Sequence, residues 1–220
     1  MVRDGIYYAV SFLVAGLVVA WLAGPWYALP LYILGLFCAY FFRDPERPIP
    51  VGEVAVSPAD GKVVAVASEP DAKTRISIFL TIVDVHVNRA PISGTIVDVT
   101  YSKGSFLVAS REAASVENEQ NTVTIQGDGT RVVFKQIAGL IARRIVCTKK
   151  AGDYVSLGER IGLIKFGSRV DVIVGPEWVV EVKPGVRVSA GSSILARRKG
   201  VPQPVKALQV PLEDGVLCPT

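Results

Sequence analysis

The sequence predicts a mainly β fold, a compact antiparallel β-sandwich of the barrel-sandwich kind, carried on an N-terminal apolar helical hairpin. Three observations predict it. Residues 5–42 contain no charged side chain. Beyond Val51, short runs rich in Val, Ile and Thr alternate with Gly, Pro, Asn and Asp, as strands joined by tight turns do. The pattern G-x-x-V-S-x-G-x-x-I occurs twice, at 152–161 and 185–194, as in folds built from two similar interlocking halves.

The helices come first. One membrane span needs about 20 apolar residues. The uncharged run is longer, and Gly24-Pro25 breaks it. Two helices follow, over 6–23 and 26–42, with Pro30 in the first turns of the second, where it is tolerated. Tyr7, Tyr8, Trp21, Trp26, Tyr27 and Tyr40 fall near helix ends, as interfacial aromatics do. Arg3 flanks one end and Arg43 and Arg47 the other, which puts both flanks in the cytoplasm. A cleaved signal peptide fits less well, because its apolar core would be too long and a second apolar helix follows. A hairpin buried in a soluble protein would need polar faces that neither helix has. Residues 42–50, F-R-D-P-E-R-P-I-P, form a stiff linker. It separates a membrane-associated part, 1–48, from a β-rich domain, 49–220.

Strands are expected at 61–66, 75–82, 94–101, 121–125 and 131–137, the last two joined by the hairpin signal Gly127-Asp128-Gly129. Residues 140–144 read equally as a helical turn or a strand. Two further strand patterns, 161–165 and 170–174, are separated by Gly167-Ser168. Cys38, Cys147 and Cys218 have neither metal-ligand spacing nor a disulfide framework, which fits a reduced compartment and no metal. The net charge of +4 suits an anionic membrane surface or an acidic substrate, and no nucleic-acid partner is expected.

Four stretches carry candidate chemistry. Gly167-Ser168 interrupts a strand pattern without the composition of a hairpin turn. A serine hydroxyl can attack the preceding carbonyl in a strained Gly-Ser bond, and the ester that forms can eliminate to leave a pyruvoyl group. Gly191-Ser192 is the same dipeptide, but Gly191 has a twin in Gly158 of the other repeat and is explained as a turn glycine. In Asp84-Val85-His86-Val87-Asn88-Arg89-Ala90-Pro91, strand alternation puts Asp84, His86 and Asn88 on one face. His86 is the sole histidine, and a carboxylate beside it suits acid–base work. A hydrogen-bonded surface histidine is the plainer alternative. Ser57-Pro58-Ala59-Asp60-Gly61 has turn chemistry. Arg143-Arg144 and Lys149-Lys150 form a basic cluster that suits a phosphate or anionic lipid, or simply solvent.

Together these motifs resemble phosphatidylserine decarboxylase proenzymes in the short form of archaea and many bacteria. The likeness rests on Phe42-Arg43-Asp44-Pro45, Ser57-Pro58-Ala59-Asp60-Gly61, Asp84-Val85-His86 closing on Pro91, Glu117-Asn118-Glu119-Gln120-Asn121 and Phe166-Gly167-Ser168, in matching order and spacing. The resemblance implies self-cleavage between Gly167 and Ser168 into a β subunit, 1–167, and an α subunit, 168–220, which stay together as a heterodimer. Ser168 would become a covalent pyruvoyl cofactor. Asp60 matches the family's aspartate that assists cleavage, His86 its substrate-handling histidine, and Asp84 an aspartate nearby. The implied reaction converts phosphatidylserine to phosphatidylethanolamine at the cell membrane, with the catalytic domain facing the cytoplasm. An ether-linked archaetidylserine substrate is an alternative.

One departure matters. Longer family members keep a second histidine where this chain has Arg89, and they read Gly-Ser-Thr where it reads Gly-Ser-Arg. Either His86 serves both steps, or Asp60 acts with Arg89 stabilising charge. The reading from a different class is a non-enzymatic membrane adaptor or carrier, but its modifiable lysine would belong at a hairpin tip, and Lys165 sits in a strand pattern.

Overall fold

The uncharged run forms two helices, α1 Arg3–Ala23 and α2 Pro25–Phe41, in the computed structural model, which describes residues 2–107, 114–139, 144–165 and 168–200. Gly24 joins them at φ 104°, a conformation open to glycine. Small residues let the helices approach. A Cβ on Gly16 would lie 2.5 Å from the Tyr32 ring, and one on Gly5 would lie 2.2 Å from Phe42 Cβ. The apolar window of α1 has mean hydropathy 2.1 and only 11% of it is buried, so its surface faces away from the core. By length and composition α1 suits a membrane span; α2, at 17 residues, is shorter. Phe41, Phe42 and Cys38 at the hairpin base pack with Leu163 of the β domain.

The strands are β1 Val54–Val56, β2 Gly61–Glu69, β3 Lys73–Leu80, β4 Val87–Arg89, β5 Gly94–Ser102, β6 Gln120–Gly127, β7 Thr130–Ala138, β8 Arg144–Cys147, β9 Tyr154–Val155, β10 Arg160–Lys165, β11 Ser168–Val174, β12 Trp178–Val180, β13 Arg187–Val188 and β14 Ile194–Arg198. A short helix, α3 Ala114–Glu117, precedes β6. The protein is predominantly β, with its large sheet curled like half a barrel. That sheet runs β13-β2-β3-β11-β7-β6-β5-β9, and two three-stranded sheets run β1-β14-β12 and β4-β10-β8. Among the described residues, every pairing between these strands is antiparallel.

The repeat is structural. Gly152 and Gly185 have φ 95° and 98°, and Gly158 and Gly191 have φ 73° and 76°. Each repeat contributes a two-residue strand, β9 or β13, to one edge of the large sheet. Each then turns and supplies the central strand, β10 or β14, of one small sheet. The expected hairpin is also formed, with Asp128 and Gly129 between β6 and β7.

Alternation builds the core. Val170, Val172 and Val174 of β11 face inward with Ile76, Ile78 and Leu80 of β3 and with Phe134 and Val132 of β7. Burying each such side chain contributes about 1.5–3 kcal/mol. The opposite face of β11 is buried too, since Arg169 and Asp171 are 0% exposed. Three sequence expectations need correction. The strand expected over 75–82 stops at Leu80. Asp84 and His86 lie before β4 rather than on a strand, because the Asp84 carboxylate closes a turn by accepting from Thr81 N at 2.8 Å and Thr81 Oγ1 at 2.6 Å. The alternative of a surface histidine also fails, since residues 84–89 are all buried. Of 140–144, only Arg144 lies among the described residues, where it begins β8.

Candidate active site

Four strands begin or end on one row of the large sheet. β11 starts at Ser168, opposite Leu80, the last residue of β3, and opposite Ala138, the last residue of β7. Continuing the β2–β3 register by one residue puts Gly61, the first residue of β2, opposite Leu80. A Cβ on Gly61 would lie 2.2 Å from Phe79 O, so only glycine permits this approach. Asp60 immediately precedes this row, and the turn that carries Asp84 and His86 immediately follows β3. The fold therefore gathers segments more than 100 residues apart at one end of one sheet.

Ser168 is 0% exposed and points inward, on the face of Val170, Leu80 and Ala138. Its hydroxyl has no hydrogen-bond partner among the described residues. Gly167 lies outside them. Ser168 is the first residue of β11, while Lys165 ends β10 in a different sheet.

His86 is 2% exposed, and its ring stacks on Phe41 of α2 with centroids 4.3 Å apart. Nδ1 lies 2.9 Å from the Asp84 carbonyl. A carbonyl only accepts, so in neutral imidazole Nδ1 carries the hydrogen and Nε2 the lone pair. Burial is the main cause that pushes its pKa down to about 4; the hydrogen bond and charge of Asp84, and the charge of Asp60, oppose this, while Arg43 adds to it. His86 is therefore neutral at pH 7. The hydrogen bond from His86 goes to the Asp84 carbonyl, while the carboxylate is held by Thr81 and by Arg187.

Asp60 accepts from Arg47 Nη2 at 2.7 Å and from Ala190 N at 2.7 Å, which ties the linker and the second repeat to the row. Arg89 is 5% exposed, and its guanidinium donates to Asp44 at 3.2 Å, to the Pro45 carbonyl at 3.1 Å and to the Gly158 carbonyl at 3.2 Å. It thus fastens the F-R-D-P linker to the domain. Arg144 is exposed and lies opposite Lys165, whose ammonium pairs with Asp4 of α1 at 2.8 Å. Arg143 lies outside the described residues. Lys149 pairs with Glu159. The hairpin also reaches the site, because Arg43 Nη2 and Tyr40 Oη both donate to the Val83 carbonyl, one residue before Asp84.

Three features escape a reading of the sequence by pattern. Behind Ser168, Arg169 donates to Asp171 at 2.7 Å and to Ser77 at 2.7 Å, while Ser115 of α3 donates to Asp171 and accepts from Arg75 at 3.0 Å. The alternation of β11 marks these charges as outward, yet only the fold brings α3 over them. Asn118 donates to the Ala138 carbonyl at 2.7 Å and also bonds both the N–H and the carbonyl of Leu107, fixing the chain beside the row. On the inner face, Asn121, Gln136 and Asn88 form a buried chain of carboxamides.

Comparison with known proteins gives the family. The model described as phosphatidylserine decarboxylase matches residues 34–196. The phosphatidylserine decarboxylase proenzyme of Solibacter usitatus (strain Ellin6076) is 67% identical over 198 residues, spanning 90% of this chain and 97% of its own. That of Saccharopolyspora erythraea is 48% identical over 171 residues, spanning 73% of this chain and 72% of its own. That of Syntrophus aciditrophicus (strain SB) is 43% identical over 204 residues, spanning 88% and 95%. With this likeness along most of its length, the chain belongs to the phosphatidylserine decarboxylase family.

Proposed function

We propose that this chain is a short-form phosphatidylserine decarboxylase that cuts itself between Gly167 and Ser168 and then converts phosphatidylserine to phosphatidylethanolamine. The observation that carries the reading is the place of Ser168. It is a fully buried hydroxyl at the start of a central strand, on the row flanked by Asp60 and His86. The relatives' names support the substrate, and their similar length supports the short form.

In the cut, Ser168 Oγ bonds to the preceding carbonyl carbon, the peptide C–N bond breaks, and the hydroxyl proton passes to the freed nitrogen. Loss of the Cα proton then expels the Gly167 carboxylate, and one water replaces the nitrogen as ammonia. We assign the proton acceptor to His86, which is neutral and carries its lone pair on Nε2. The Asp60 oxygens and the Arg89 guanidinium are held by the linker and the repeats, which favours positioning roles for both. The α subunit, 168–220, would begin as β11, held by seven paired positions on β3 and six on β7. The two chains therefore stay together after the cut.

The buried, unpartnered position 168 fits a small carbonyl group in place of the serine side chain. A pyruvoyl group held there by β11 would supply an electron-withdrawing carbonyl for the substrate amine. Nε2 of His86 takes up one proton from solvent in each turnover and passes it to the substrate carbon that carbon dioxide has left. Leu80, Ala138 and Phe41 exclude water from this end of the sheet. The apolar hairpin, docked beside His86, holds the site at the bilayer surface, with the β domain on the cytoplasmic side and the lipid substrate entering from the membrane.

The test uses purified full-length protein and vesicles containing phosphatidylserine. Formation of phosphatidylethanolamine with carbon dioxide release is expected, and none with Ser168→Ala. Fully cut protein that leaves phosphatidylserine unchanged would overturn the substrate assignment. His86→Ala should slow self-cleavage by roughly 10²–10⁴-fold; cutting at the parent rate would remove His86 from the role of base.

A further inference from the structure

The turn that leads to His86 has an apolar tip. It is closed by the Asp84 N–H, which donates to the Thr81 carbonyl at 3.0 Å, and by the Asp84 carboxylate. Its two central residues are Ile82 and Val83, at positions where turns favour Gly, Pro, Asn, Asp or Ser. Both are exposed, Ile82 at 44% and Val83 at 54%, although residues 84–89 directly after them are buried. A lone exposed apolar residue is ordinary, but these two adjoin each other and the hairpin.

The tip is tied to the base of the hairpin. Tyr40 Oη at 3.3 Å and Arg43 Nη2 at 2.7 Å both donate to the Val83 carbonyl. The Arg43 guanidinium also donates to the Tyr40 carbonyl at 2.9 Å and lies 3.8 Å from the centroid of the Tyr40 ring. Tyr7 and Tyr8 are exposed at the same end of the hairpin, where α1 begins and Tyr8 packs on Phe42. Tyrosine rings and arginines gathered at one level are the usual anchors of a membrane–water boundary. Beside the tip, Arg187 pairs with Asp84; it is exposed and lies opposite exposed Lys62 of β2. Cations in this position suit anionic lipid headgroups.

We propose that Ile82 and Val83 enter the bilayer beside the hairpin, so that the turn leading to His86 is itself a membrane contact at the level of the lipid headgroups. The inference rests on the membrane anchoring proposed above and not on the chemistry of Ser168. A second copy of this chain suits the tip less well, because a stable protein interface buries about 800 Å² per partner, far more than two residues offer. A bilayer asks only for apolar side chains that can leave water next to cations, and the hairpin already holds the tip against it.

The test places the photoreactive residue p-benzoylphenylalanine at position 17, 83 or 179 of the full-length Ser168→Ala chain, in vesicles of phosphatidylcholine and phosphatidylserine. Leu17 is exposed on α1. Val179 is exposed on β12, next to Trp178, which bonds Thr130 at the end of β7 away from Ala138. After illumination, intact mass should rise by one phospholipid at positions 17 and 83 and stay unchanged at 179. A lipid adduct at 17 but not at 83 would overturn the proposal, and so would adducts at 179 as frequent as at 83. A crosslinked dimer through 83 in place of a lipid adduct would give the tip to a second copy and overturn it as well. If replacing Val83 prevents folding, position 82 takes its place with the same outcomes. No lipid adduct at 17 would remove the anchoring itself, and the proposal with it.

Discussion

Gly167-Ser168 and Gly191-Ser192 are the same dipeptide in two settings. Ser168 opens a central strand, is fully buried, and has a strand paired on each side. Ser192 lies in a turn, where its N–H donates to the Ser189 carbonyl, and Gly191 at φ 76° repeats the conformation of Gly158. Both hydroxyls lack a partner among the described residues, so an orphaned hydroxyl does not tell the two apart. Asp60 does not either, because it accepts from Ala190 beside the second site. The difference lies in the row. Of the two, only Ser168 is itself paired in ladders on both sides, at the end of the sheet where the His86 turn leaves β3. A hydroxyl on a strand paired on both sides has a more fixed direction than one in a turn.

The largest expected effect is all-or-none. Ser168→Ala should leave a single uncut chain, while Ser192→Ala should be cut as the parent is; denaturing gel electrophoresis reads both. Cutting of Ser168→Ala would dissolve the comparison. The next effect concerns the back of β11. Asp171→Asn, in the Ser168→Ala background, removes the carboxylate that pairs with buried Arg169 and should cost about 3–5 kcal/mol by denaturant titration. A loss under about 1 kcal/mol would mean that the polar layer does not hold the strand.

The third effect is on pH. His86 has a folded pKa of about 4 against an ordinary value of 6.5. Below pH 6.5 the unfolded chain takes up a proton that the folded chain refuses, so stability falls as pH drops from 6.5 towards 4. The loss attributable to His86 approaches about 3 kcal/mol. His86 is the sole histidine in the sequence, so its ring resonances report the titration directly. A midpoint near 6.5 would show that Phe41 does not shield it. The smallest effect belongs to the turn. Gly191→Ala forces a left-handed conformation on a side chain whose Cβ would lie 2.9 Å from Arg89 Cδ, and should cost about 1–2 kcal/mol in thermal melts while cutting proceeds.

Much of the fold was legible because its signals are local. The break at Gly24-Pro25, the alternation of Val170, Val172 and Val174 and the twin glycines of the repeat each reflect a short-range rule. The turn at Asp84 was not legible. Its carboxylate competes for backbone bonds at Thr81, and that competition leaves no mark on the alternating pattern. Of the candidate site, Ser168, His86 and Asp60 stood out as individual residues, but nothing local shows that one end of the sheet gathers them. The amides of Asn88, Asn121 and Gln136 were invisible for the same reason, since each is an ordinary polar residue in a strand until the sheets bring them together. The burial of Arg169 and Asp171 depends on α3, more than 50 residues earlier in the chain.

The most direct test is the intact mass of the purified, unmodified protein under denaturing conditions. Two chains are expected, the smaller running from position 168 to 220 and resisting N-terminal sequencing because it begins with a carbonyl rather than an amine. A single chain at 23.6 kDa would contradict the account.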